Sequence, residues 1–208
     1  MSAVRLFSVL LLAASTSGIS TGQRAAPATA PAGKAVDAAK AFLATLNDQQ
    51  RAKVVLPLDA TTRTIWSNLP TGITMQVGAN QRNGLKLGAL TAAQQNAALA
   101  LVAAALSRNG FQKVMNIVNA DQQLEVASAP QRATGNRVRF GRAEYYIAIL
   151  GTPSADARWM LQFGGHHLAI NVTVAGRESV LTPTHRCRAV TAHVARGLQG
   201  WVRRREYA

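Results

Sequence analysis

The sequence predicts an α+β fold in which N-terminal helices pack on a C-terminal antiparallel sheet. Three observations carry that expectation. Apolar residues recur at helical spacing in the first half of the chain, and the period changes to two beyond Glu144. Between two strand-like runs, Ala175-Gly176-Arg177 forms a hairpin signal. There is no internal repeat and no dinucleotide-binding or P-loop glycine motif.

Residues 1–20 have the three parts of a secretion signal: Arg5, an apolar run over 6–14, and mostly small residues over 15–20. The apolar run is too short to span a bilayer, so it reads as a cleavable leader, with small residues for cleavage at 18–20 and again at 28–30. No cysteine follows it, so there is no lipid-attachment box. Such a leader implies a secreted or periplasmic protein of bacterial type. Residues 21–34 form a Pro/Ala/Gly linker without periodicity and are expected to be disordered. The domain itself is expected over 35–185, followed by a basic tail over 186–208.

Within the domain, 35–46 carries Val36, Ala39, Phe42, Leu43 and Leu46 at helical spacing. Asn47 or Asp48 can cap a second short helix that ends before Pro57. A loop with Trp66, Pro70 and several glycines follows, through Gly88. The clearest helix is 91–108: Thr91 and Gln94 make a capping box, and Gly110 is placed to close the end. Another helix is expected over 111–126.

Strands are expected over 144–150, 158–163 and 168–174, with a return over 178–182. Leu168, Ile170, Val172 and Val174 alternate onto one face, and Trp159, Leu161 and Phe163 align as core.

The net charge of +14 suggests a polyanion partner, but its distribution argues against nucleic acid. Residues 186–208 hold six arginines against one acid, and across 31–185 there are 15 basic and 8 acidic residues, a net of +7. Arg132, Arg137, Arg139 and Arg142 cluster around an expected turn at Gly135 and Asn136, with few aromatic stacking platforms nearby. The single cysteine, Cys187, excludes an internal disulfide and has no motif-placed base beside it. No run of about 18 apolar residues follows the leader, so no membrane-spanning helix is expected in the mature chain.

Several segments, in order, carry a family resemblance: AFLATLNDQQRAKVVLPLD, IWSNLP, GLKLGALTAAQQNAALALVAAALS, EYYIAILGTPS, RWMLQFGGHHLAINVTV and VLTPTH. Together they resemble the uncharacterised exported family known as domain of unknown function 3500, over about 35–185, with GGHHLAINVTV the most specific part. The resemblance implies export but no reaction. After His185 the text departs from the family's pattern and becomes arginine-dense. That tail reads as a reading-frame change or a divergent end, which would leave the sheet incomplete at its C-terminus. Val190, Val194, Leu198 and Val202 fall every four residues, so a basic amphipathic helix is the competing reading.

Three of the four histidines, His166, His167 and His185, lie in the family-like C-terminal segment. Imidazole is a general base near neutral pH and a ligand for zinc or copper, so these three are the candidate catalytic and metal-binding residues. In a regular strand His166 and His167 point to opposite faces, unless a bulge at Gly164-Gly165 breaks the alternation. A two-residue turn at 175–176 would set 166 opposite 185, and a three-residue turn would set 167 opposite 185. A hydrogen-bonded structural role is the commoner fate of such histidines. No HExxH or CxxC spacing supports a metal.

Asn171 shares the strand face of His167 and is a candidate binding residue, or else part of a solvated face. Glu144 and Tyr146 are the other binding candidates, since a carboxylate beside phenols can hold a sugar or a cation, although paired tyrosines in a strand ordinarily pack. Ser154 lacks the GxSxG context of a nucleophile. The leading expectation is a secreted enzyme or metal-binding domain with a His-containing polar site for an unknown small molecule or extracellular ligand. The alternatives are a non-catalytic exported binding module and a truncated, inactive fragment.

Overall fold

The computed structural model describes residues 31–72, 81–175 and 182–184. His185, the expected hairpin turn, the leader and the basic tail lie outside the described residues. The fold is α+β, helices first and strands afterwards.

Helix α1 is described over Pro31–Ala44, so it already takes in part of the stretch read as linker, ahead of the expected 35. From there Ala35, Ala39, Phe42 and Leu46 recur on the buried face. Helix α2 (Asp48–Val54) is capped by Asn47, whose side chain accepts from Gln50 N while the Gln50 side chain answers the Asn47 N–H. The Thr91–Gln94 capping box starts helix α3 (Ala92–Ala104) as expected. The Gln94 amide also donates to Thr45 O at 2.8 Å, tying the start of α3 to the end of α1.

The end of α3 differs from the expectation. The helix stops at Ala104, and Gly110 closes nothing. Ser107 instead caps helix α4 (Arg108–Ala127) by accepting from Gly110 N at 3.1 Å. A serine hydroxyl offered to an orphan N–H outcompetes continuation of the first helix. The short helix α5 (Ala129–Ala133) follows and ends in an exposed turn at Gly135 and Asn136.

The sheet runs β1 (Val55–Leu56), β3 (Tyr146–Leu150), β4 (Arg158–Gly165), β5 (Leu168–Ala175), β6 (Thr182–Thr184), and β2 (Leu85–Lys86) also pairs with β3. It is mixed rather than purely antiparallel, because β1 runs parallel to β3 while the other pairs are antiparallel. Tyr145, Ile147, Ile149, Trp159, Leu161, Phe163, Leu168, Val172 and Val174 join the helices in one core cluster. The opposite face is buried too: the loop after β1 reaches it, with Gln162 Nε2 donating to Arg63 O at 3.2 Å.

Both hairpin registers expected for the returning strand are corrected. They would set 184 opposite 167 or 168, whereas β6 sets Thr184 opposite Asn171 and Thr182 opposite Thr173.

Candidate functional site

The segment Gly164-Gly165-His166-His167 closes the β4–β5 hairpin. Gly165 pairs with Leu168, so His166 and His167 are the two residues of the turn itself, not neighbours in a strand. The alternation argument therefore does not apply, and no bulge is needed to unite them. Their rings lie 3.9 Å apart, tilted by 34°. His167, the second residue of the turn, sits at φ 57, in the left-handed region. Its N–H donates to Asn68 O at 2.8 Å, fastening the turn to the loop.

The preceding glycine is there for a close approach. A Cβ on Gly165 would lie 2.8 Å from the Tyr145 ring. With hydrogen in its place, the ring lies over the strand and the Tyr145 hydroxyl donates to His166 O at 2.9 Å. Burial, reinforced by the nearby Asp121, pushes the Tyr145 phenol far above its usual value, so it remains a donor.

Across from the turn stands Asp121. Val114, Ile117, Val118 and Asp121 form the buried stripe of α4, at i, i+3, i+4 and i+7. Asp121 Oδ1 meets His166 Nδ1 at 2.6 Å, and Oδ2 accepts the Gly141 N–H at 2.7 Å. The side chains are 4% and 11% exposed for Asp121 and His166. Phe140 completes the wall, its ring centroid 5.0 Å from that of His166. Two further α4 side chains hold the same segment: Gln122 accepts from Arg142 N at 3.1 Å and Glu125 from Phe140 N at 3.0 Å. Gly141 is required there, with φ 88 and a would-be Cβ 2.8 Å from Gln122 Oε1.

A carboxylate accepting from Nδ1–H fixes the imidazole tautomer and leaves Nε2 as the atom that exchanges protons. Asp121 was not among the sequence candidates. Its signal was nonetheless legible: it is an acid on an otherwise apolar helical stripe, and a buried charge demands a partner.

The other candidates lie elsewhere. Glu144 pairs with Lys86 Nζ at 2.7 Å and accepts from the Thr71 hydroxyl. Tyr146 and Asn171 line a small cleft with Trp66, Arg82, Asn83 and Gln162, on the sheet face away from the helices. Asn171 is only 3% exposed, so its face is not solvated as the alternation suggested, because the loop after β1 covers it. Neither Asp121 nor the two histidines line this cleft. Of the pair of tyrosines, Tyr145 is the packing residue and Tyr146 the cleft residue. Among the described residues no three His, Cys, Asp or Glu side chains converge as a metal site, and no helix is long and apolar enough to cross a membrane.

No curated protein and no solved structure matches the chain. A family model does match, that of the proteins described as "Protein of unknown function (DUF3500)", over residues 28–189. The match spans both the Asp121 stripe and the GGHH turn, and the chain belongs to that family.

Proposed function

We propose that the protein is an exported enzyme whose working group is the Asp121–His166 dyad, acting as a general base toward a water or a substrate hydroxyl. The observation that supports this is the 2.6 Å contact between Asp121 Oδ1 and His166 Nδ1 in a nearly dry setting. In the reaction, Nε2 takes the proton from the attacking oxygen and the imidazolium forms beside the buried carboxylate, which stabilises it. Asp121 is itself held by the Gly141 N–H, so the imidazole is oriented before substrate arrives. A zinc or copper role for His166 and His167 has less support, since Nδ1 of His166 is committed to Asp121 and no third ligand converges among the described residues. Export is part of the proposal and rests on the leader-like residues 1–20.

The test uses the purified chain, His166→Gln and Asp121→Asn, each verified as folded by circular dichroism, on a panel of chromogenic esters, phosphodiesters and glycosides. Turnover in the parent that falls by about 10²-fold or more in both variants supports the dyad. Undiminished turnover in folded His166→Gln sinks it. Long-range proton–nitrogen spectra add a check that needs no substrate: the dyad requires the Nδ1–H tautomer at His166, and an Nε2–H tautomer refutes it.

A further inference from the structure

We propose that the arm 137–142, which is tied to α4 ahead of β3, is a docking surface for an extended acidic polysaccharide, with Arg137 and Arg139 as its contacts. The inference does not depend on the chemistry of the dyad. It begins with how the arm is held. Four consecutive N–H groups are taken: Arg139 N donates to Thr71 O at 2.8 Å, and Phe140, Gly141 and Arg142 donate to Glu125, Asp121 and Gln122 of α4. Arg139 also forms an antiparallel bridge with Thr71, so the chain there is strand-like. Strand-like chain sends alternate side chains to opposite sides, and burial follows that rule. Val138 and Phe140 are half-buried, Phe140 against His166, while Arg137 and Arg139 are exposed. The two arginines therefore share one side, about 7 Å apart along the chain.

The acids beside the arm are spent on other donors. Asp121 serves His166 and the Gly141 N–H, and Glu125 serves Arg132 and the Phe140 N–H. Glu144 serves Lys86 and the Thr71 hydroxyl. The ion pairs among the described residues are Lys86–Glu144, Arg132–Glu125 and His166–Asp121, so Arg137 and Arg139 have no carboxylate there. The fold thus orders the segment through its backbone and leaves two guanidiniums facing solvent. A segment ordered in advance loses less freedom when it binds an anion.

The openness of this side selects a polymer. One exposed Arg–carboxylate contact is worth less than about 1 kcal/mol, so a small anion gains little here, whereas a chain of anionic groups adds its contacts along the arm. A single-stranded nucleic acid is the poorer fit, because the arm's one ring, Phe140, packs on His166 rather than offering a stacking surface. A membrane is also a poorer fit. Val126 is the exposed large apolar side chain among the described residues, too little to enter a bilayer. Uronate or sulfate groups on a sugar chain need neither stacking nor insertion, and an exported protein would meet them outside the cell.

The experiment measures binding of the purified chain to immobilised polygalacturonate, with dextran and a random DNA duplex as comparisons, across a salt series. Arg137→Gln/Arg139→Gln is set against Arg108→Gln/Lys113→Gln, which removes the same charge from exposed positions about 12–20 Å along α4 from Asp121. The basic tail stays in every variant, so differences report the arm. Salt-sensitive binding of polygalacturonate, weakened about tenfold by the arm pair and much less by the control pair, is the expected result. Arg137→Lys/Arg139→Lys should restore most of it. An equal loss in both pairs overturns the proposal, since net charge alone would then be acting. No loss in the arm pair overturns it too, as does equal binding of uncharged dextran. Tighter binding of the duplex than of polygalacturonate reassigns the arm to nucleic acid.

Discussion

Asp121 serves two donors with one carboxylate, the His166 ring and the Gly141 N–H. Asparagine cannot do both, since its amide nitrogen accepts nothing. Asp121→Asn should therefore lower stability by roughly 1–3 kcal/mol, read from the urea midpoint at unchanged slope. Tyr145 makes a prediction in pH. Its phenol is pushed up by burial and by Asp121, so the folded chain keeps a proton that the unfolded chain releases near the ordinary tyrosine value. The stabilisation is complete below about pH 10 and falls above it by about 1.4 kcal/mol per pH unit for this one group. Tyr145→Phe should remove that share of the alkaline slope, measured as the difference between the two unfolding curves from pH 9 to 11.

At the scale of elements, the helix starts are where local chemistry decides. Thr91→Ala deletes half of a capping box whose other half, Gln94, also reaches Thr45. The expected loss is about 1 kcal/mol in chemical denaturation. The β4–β5 hairpin depends on a different kind of requirement. Gly165→Ala puts a methyl 2.8 Å from the Tyr145 ring, so the ring or the strand must move. A loss of about 1–3 kcal/mol is expected. The His166 imidazole resonances should shift with it, because Tyr145 holds the His166 carbonyl. An unchanged His166 spectrum in a destabilised Gly165→Ala would disconnect the packing of the turn from the dyad.

For the molecule as a whole, one core cluster joins α1, α3 and α4 to the inner face of the sheet, and the loop after β1 covers part of the outer face. Phe42 is fully buried in that cluster, on the first helix of the described chain. Phe42→Ala should cost about 3–5 kcal/mol, seen as a fall in the thermal midpoint, and should do so for every strand at once if the layers unfold together. Loss of α1 alone, with protected amides persisting in β4 and β5, would show instead that the two layers are separate cooperative units.

The sequence by itself determined the class of fold, the caps of α2 and α3, the inner face of β4 and β5, and the family. These are local properties: a period of 3.6 or 2, a cap three residues from its partner, a string of residues in order. It did not determine that Gly164-Gly165-His166-His167 is a turn, because GGHH carries no turn residue beyond its glycines and His167 is an unusual occupant of φ 57. Nor could it pair His166 with Asp121 across 45 positions, or set β6 against β5 with Thr184 opposite Asn171. The Asp121–His166 contact exists only because α4 presents its buried acid to the hairpin tip. Burial then decides the chemistry, since a carboxylate and an imidazole out of water must answer one another, and only the tertiary structure says which two will meet.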